Sequence, residues 1–230
     1  SKVSGSRRLD LDIILPTPRF ASLPVKEILD HNVDRIEEIV EAHTTTLVFV
    51  NTRQMTETVV QKLKILGTEG VEGHHGSMDK AIRLDVEQRL KNGLLRSVVS
   101  SSSLEMGIDI GSVDCVIQVG SPGSIATGLQ RIGRAGHQVD GLPRARLLPT
   151  SPQDLLEMVS LQNGILRGSM DLLKFPQNSL DVLAQFLIGL TIIREWDIDD
   201  SYELVTAAWP YRELPYDDFI EVLDLLEEER

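Results

Sequence analysis

Two arginines three residues apart stand in the run Gln130-Arg131-Ile132-Gly133-Arg134-Ala135-Gly136-His137. At that spacing Arg131 and Arg134 share a helical face, and a glycine-containing loop follows. A guanidinium held in this way is the geometry that offers a fixed cation to a phosphoryl group. Taken alone, a helix that bridges to neighbouring carboxylates accounts for the pair better. A second candidate is the four-serine run Ser100 to Ser103, between a Val98-Val99 strand and Gly107-Ile108-Asp109-Ile110-Gly111. Its place at a strand end marks it as a phosphate-binding turn, whereas Asp109 by itself reads as the cap of a turn. The other reactive side chains offer less. His74 and His75 are adjacent and point opposite ways on a strand, and the five histidines lack zinc-ligand spacing. Cys115 is the single cysteine. It reads as a small packed hydrophobe and excludes a disulfide framework or a multi-cysteine metal site. There is no G-x-x-x-x-G-K-[ST] loop and no Asp-Glu pair after a strand to hold magnesium, so the chain lacks the parts of a free-standing nucleotide hydrolase.

These groups need a scaffold, and the chain alternates strand-like and helix-like segments, the pattern of a parallel sheet with helices on its faces. Strands are expected at 11–15, 46–50, 71–75, 97–99, 113–119 and 144–148, the 46–50 run being almost wholly apolar as a buried parallel strand should be. Helices are expected at 33–43 with Asn32 as cap, 55–66 ended by Gly67, 80–91 stopped by Asn92-Gly93, and 128–134. After Pro149 the strands stop, and 155–166, 180–193, 202–208 and 218–229 all read as helical, with starts marked by Ser151-Pro152 and Asp199-Asp200. Trp196 and Trp209 fall near helix ends and read as core rather than as stacking platforms.

The 230 residues, 41% hydrophobic and 25% charged, suit one large domain or one and a half small ones and exclude disorder. Net charge is −12, which argues against nucleic acid until its distribution is examined. From Glu195 to Arg230 there are 13 acids and two bases, whereas the preceding 194 residues hold 22 acids and 21 bases. The acidity belongs to the tail, as solvated helical faces, and the body is nearly neutral. No apolar run approaches the roughly 20 residues of a membrane span, the polar N-terminus is no signal peptide, and the expectation is a cytoplasmic protein.

In order along the chain stand Leu47-Val48-Phe49-Val50-Asn51-Thr52-Arg53, then His74-His75-Gly76-Ser77-Met78, then the serine run with Leu104-Glu105-Met106-Gly107-Ile108-Asp109, then Gln130 to His137. This series resembles motifs IV to VI of superfamily 2 helicases, and the chain is similar to the second RecA-like domain of such an enzyme. Within that superfamily, Val98 to Asp109, Gln118-Val119-Gly120-Ser121-Pro122 and Gly128 to His137 are most similar to the large helicase-related (Lhr) family. Asp181-Val182-Leu183-Ala184-Gln185 and Trp209-Pro210-Tyr211-Arg212 resemble the start of that family's winged-helix domain.

The resemblance implies an α/β fold: a RecA-like parallel sheet with helices on both faces over 1–150, a helical connector over 151–176, and a small helical annex over 177–230, part of a winged helix. It implies that Arg134 reaches the γ-phosphate of ATP across a domain cleft, with Gln130 and Arg131 in the same catalytic motif. Gly107, Asp109 and His137 would line the nucleotide site, Asp109 near the ribose. His137 departs from the second arginine of many relatives and so offers no permanent charge. Thr52, Arg53, the His75-Gly76 turn and Ser100, Ser101 and Ser102 would meet the nucleic-acid strand. ATP and Mg2+ belong to the full-length enzyme, with no stable binding by this chain alone. The implied partners are single-stranded or partly duplex DNA, with RNA or a hybrid left open, and the first RecA-like domain. A different class of protein, a non-catalytic module docking a partner through its acidic helices, is the alternative; Arg134, Gln130 and Asp109 standing together favour the motor.

Overall fold

The computed structural model describes residues 9–105, 109–135, 142–169 and 176–228. They divide into two compact units, residues 1–171 and 172–230. The first unit holds a six-stranded parallel sheet in the order β1-β6-β5-β2-β4-β3. Its strands are β1 (Asp10–Ile13), β2 (Thr46–Phe49), β3 (Val71–His74), β4 (Ser97–Ser100), β5 (Cys115–Val119) and β6 (Arg144–Leu148). Its helices are α1 (Val25–Glu41), α2 (Arg53–Leu66), α3 (Lys80–Lys91), α4 (Ile125–Ile132) and α5 (Pro152–Leu166).

Every residue of β2, β4 and β5 is buried, as three interior strands covered on both faces must be. Alternation along β2 separates two cores. Val48 and Val50 join Val33, Ile36 and Val40 of α1 and Val59 and Leu63 of α2 on one face. Leu47 and Phe49 join Val86 and Leu90 of α3 on the other. On that second face, Ile132 of α4 and Met158 and Leu161 of α5 cover Leu11, Ala145 and Leu147 of β1 and β6. Helix α5 is therefore a layer of the sheet domain rather than a connector. Each of these aliphatic side chains contributes roughly 1.5–3 kcal/mol by leaving water. Cys115 is fully buried in β5, the packed hydrophobe expected.

Several boundaries differ from the sequence reading. Helix α1 begins at Val25, after Pro24. Asn32 is buried inside α1 and donates from Nδ2 to the carbonyl of Pro149 (3.0 Å), so it ties the helix to the end of β6 and caps nothing. Helix α2 begins at Arg53 because the Thr52 hydroxyl accepts from the Met55 amide (3.1 Å). It ends at Gly67, whose φ of 95° lies in the left-handed region that favours glycine. Helix α4 begins at Ile125, capped by Ser124, and ends at Ile132. Arg134 consequently lies past the helix end, and the two arginines do not share a helical face.

The second unit holds α6 (Leu180–Ile193), α7 (Ile198–Thr206) and α8 (Tyr216–Glu228). Leu183, Leu187, Val205, Leu214, Phe219 and Val222 form its own core. Tyr202 packs edge-on to Tyr216 and Phe219 at 4.9 and 5.2 Å, and its hydroxyl donates to the carbonyl of Leu214 (2.7 Å). Helix α7 is capped by Asp197, whose carboxylate accepts from the Asp199 amide (2.9 Å), two residues before the expected start. Trp209 is 49% exposed rather than core, and Trp196 is half-buried with the Arg194 guanidinium 4.0 Å from its ring.

Candidate functional site

The carboxyl ends of β2, β4 and β5 form the edge where open parallel sheets place ligands, and the chemistry-bearing residues gather there. Arg131, on the last turn of α4, points inward, with only 7% of its side chain exposed. Nε (2.9 Å) and Nη2 both donate to Oε1 of Glu105. Nη1 donates to Oε1 of Gln118 at the end of β5 (2.8 Å) and to Oδ1 of Asn51 just beyond β2 (3.4 Å). The guanidinium also lies over the Phe49 ring, 5.2 Å from its centroid. Asn51 and Gln118 pass the network on to the backbone at Ser121 (2.8 Å) and Gly120 (2.7 Å). Arg131 is thus a staple joining three strand ends to α4, with its donors engaged inside the domain. The catalytic placement expected of it is not what the structure displays.

Arg134 follows in the turn after Gly133, its amide bonded to the carbonyl of Arg131 (3.0 Å). Its side chain is half-buried, and Nη2 donates to the main-chain carbonyl of Glu105 (2.8 Å). Glu105 therefore meets both arginines, one through its carboxylate and one through its backbone. Gln130 is exposed on α4. Asp109 is exposed and pairs with Lys91 at the end of α3 (2.7 Å), while its Oδ1 accepts from the Gly111 amide (3.3 Å). An ion pair this open to solvent contributes little to stability. Gly107 and His137 lie outside the described residues.

The residues expected on the nucleic-acid side are brought together by two loops. Arg53 opens α2 and donates from Nη1 to the Ser77 hydroxyl (2.7 Å), linking α2 to the turn after β3. Thr52, Arg53, Gly76 and Ser102 are exposed and Ser101 is half-buried. Ser100 and His75 are turned inward. Ser100 is fully buried, its hydroxyl 3.2 Å from that of Ser103. The His75 ring is buried, with Nε2 3.3 Å from Glu57. Between α2 and this turn lies an open groove of about 690 Å³ lined by Thr56, Val60, Lys64, His75, Ser77 and Met78.

His74, which the sequence reading passed over, anchors the serine loop. Its Nδ1 is 2.6 Å from the Ser103 hydroxyl and its Nε2 is 2.9 Å from Glu87 of α3. Burial holds the His74 pKa below its usual value, against the opposing pull of Glu87. Both ring nitrogens are thus engaged, and the Ser103 hydroxyl also donates to the main-chain carbonyl of His74 (3.0 Å). Among the described residues no group of three or more His, Cys, Asp or Glu side chains converges as a metal site. No described helix is long and apolar enough to cross a membrane.

A six-stranded parallel sheet with helices on both faces, and glycine- and arginine-bearing loops at its carboxyl edge, defines the RecA-like class of motor domain. Residues 31–138 match the helicase conserved C-terminal domain family, and residues 163–230 match the winged helix domain of the large helicase-related protein. The chain belongs to the large helicase-related family of superfamily 2 helicases and comprises its second RecA-like domain and the start of its winged-helix region. It is 42% identical to the ATP-dependent helicase Lhr-Core of Methanocaldococcus jannaschii over 97% of this chain and 27% of that protein. It is 40% identical to the protein of the same name from Methanothermobacter thermautotrophicus, again over 97% of this chain and 27% of the relative. Among solved structures, the Mycobacterium smegmatis helicase Lhr bound to ssDNA and AMP-PNP superimposes with a TM-score of 0.82 at 38% identity, over 96% of this chain and 30% of that one. The chain thus spans about a quarter of the length of these curated relatives.

Proposed function

We propose that this chain is the second motor half of an ATP-dependent DNA helicase and that Arg134 is its arginine finger. The observation that carries this reading is the placement of Arg134 beyond α4, held by the carbonyl of Glu105 at the carboxyl edge of the sheet. From there a planar cation serves a phosphoryl group presented by a facing domain, stabilising the charge that builds on the transferring oxygens. Gln130 and Asp109 contribute to the same nucleotide cleft, with Gly107 and His137 completing it. ATP and Mg2+ are held chiefly by the first RecA-like domain, so the chain alone does not turn over ATP. The strand runs over Thr52, Arg53, Gly76, Ser101 and Ser102, with Ser100 and His75 supporting these groups from below. With a nearly neutral body, this half-track binds single strands weakly and in a salt-dependent manner.

The test is Arg134→Ala in the chain joined to the first RecA-like domain, with ATPase measured at saturating single-stranded DNA. Turnover falls on the order of 10³-fold while the KM for ATP changes far less. Lysine rescues poorly, because it keeps the charge and loses the fork. Near-normal turnover with a lowered melting temperature would retire the arginine-finger assignment. Replacing DNA by RNA or a hybrid in the same assay separates the three nucleic acids.

A further inference from the structure

The structure assigns to Glu105 the role of a positioning residue: its carboxylate locks the serine loop to Arg131, and this lock sets where Arg134 presents its guanidinium. The inference rests on the reading of Arg134 as the arginine finger. Its grounds are geometric. The loop from Ser100 to Glu105 is held at two points. Ser103 is tied to the buried His74 ring (2.6 Å), and Glu105 is tied by two donors to Arg131. Both members of the second tie are withdrawn from water, with 16% of the Glu105 side chain and 7% of the Arg131 side chain exposed. In such surroundings a charge-assisted pair is strong and directional. The carbonyl that accepts from Arg134 Nη2 (2.8 Å) belongs to the same residue as that carboxylate. Moving the Glu105 side chain therefore moves the acceptor of Arg134. The amide of Arg134 is in turn bonded to the carbonyl of Arg131 (3.0 Å), so Arg134 makes one bond to the main chain of each member of the buried ion pair.

On this reading the effect of Glu105 passes through Arg134. That gives it a signature that a merely stabilising residue lacks. Glu105→Gln keeps the shape but removes the charge that holds both donors. The loop then shifts the Arg134 acceptor, and a displacement of the order of 1 Å in a positioned group costs roughly 10- to 100-fold in turnover. The KM for ATP should change far less, since little of ATP binding passes through this contact.

The experiment is a double-mutant cycle in the chain joined to the first RecA-like domain, with ATPase measured at saturating ATP and single-stranded DNA, well below every variant's melting temperature. The variants are Glu105→Gln, Arg134→Ala and the pair. The expected result is a fall of roughly 10- to 100-fold in kcat for Glu105→Gln. On the Arg134→Ala background the same change should cost almost nothing more, because residues acting as one unit are not additive. Losses that multiply in the double variant, or Glu105→Gln turnover equal to that of the parent, overturn the proposal. Turnover spared by Arg134→Ala instead brings down the arginine-finger reading, and this inference with it. Should Glu105→Gln fail to fold, Arg131→Lys takes its place. It keeps a cation beside Glu105, drops the fork to Gln118 and Asn51, and must show the same absence of additivity.

Discussion

Replacing Arg131 by alanine should cost the sheet domain more stability than any loss of a surface charge. The substitution strands three acceptors at once: the Glu105 carboxylate, 16% exposed, the Gln118 amide oxygen in a fully buried strand, and the Asn51 amide oxygen. Breaking a buried ion pair by removing one partner costs about 3–5 kcal/mol, most of it from the charge left behind. For a unit of 171 residues, each kcal/mol lowers the melting temperature by about 2–4 °C, which gives a fall of roughly 6–20 °C. The chain supplies its own control. Both tryptophans and all three tyrosines lie at Trp196 or later, in the second unit, whose core is separate. Tryptophan emission therefore reports the second unit alone, while far-ultraviolet circular dichroism follows the helices of both. Arg131→Ala should move the dichroism transition of the sheet domain and leave the tryptophan transition in place. The double variant Arg131→Met, Glu105→Gln leaves no unpaired charge and should recover part of the loss, the Gln118 and Asn51 oxygens staying without their donor. A shift below about 2 °C for Arg131→Ala would refute the staple role and leave the catalytic role expected of Arg131 from the sequence standing.

Three further outcomes follow from named contacts. Burial pushes the Cys115 thiol up to about 11, so a thiol reagent near neutral pH should label native protein only as fast as the sheet domain opens. Stoichiometric labelling within the mixing time would contradict the burial. Gly120→Ala should destabilise by about 1–3 kcal/mol in denaturant unfolding, since a methyl at φ 75° meets Asn51 Nδ2 at 3.0 Å; an unchanged midpoint would count against this. Asp10 accepts two bonds from Arg146 (both 2.9 Å), and that pairing, outweighing burial, holds its pKa below the usual carboxylate range. A depressed carboxylate contributes stability at neutral pH that fades as acid carries the pH down through the lowered folded value. Asp10→Asn should therefore cost about 1–3 kcal/mol at neutral pH and nothing in strong acid; a pH-independent difference would show that the bonds matter and the charge does not.

What the sequence made legible follows from what each pattern encodes. Lys80–Lys91, Leu180–Ile193 and Arg144–Leu148 were bounded to the residue, because apolar spacing and breakers such as Asn92-Gly93 act locally. The expected starts of α2 at Met55 and of α4 at Gly128 fall two and three residues late, past the capping hydroxyls of Thr52 and Ser124. Trp209, near a helix end, reads as core in the sequence, yet half of it faces water. Aromatic content does not say which side of a helical turn is covered. The ordered motifs located the site, but a motif is a string and has no inside or outside. It placed Ser100, His75 and Arg131 among exposed groups, and packing turned all three inward.

One of those reversals carried a readable signal. In Cys115-Val116-Ile117-Gln118-Val119 a single amide interrupts a strand otherwise built to be covered on both faces, and a buried polar group needs a partner. Gln118 accepts from Arg131 and donates to the carbonyl of Gly120 (2.7 Å). A polar residue alone in a buried strand thus signals, before any coordinates, that a partner group must be turned inward to meet it. The structure separates the two arginines of Gln130-Arg131-Ile132-Gly133-Arg134. The one on the helix turns toward the sheet and spends its donors on Glu105, Gln118 and Asn51, while the one beyond Gly133 remains at the edge. The first is structural because it is satisfied by three strand ends. The second, on the arginine-finger reading, is the one offered to a phosphoryl group: the turn after Gly133 leaves it half-buried at the edge, with Nη2 on the carbonyl of Glu105.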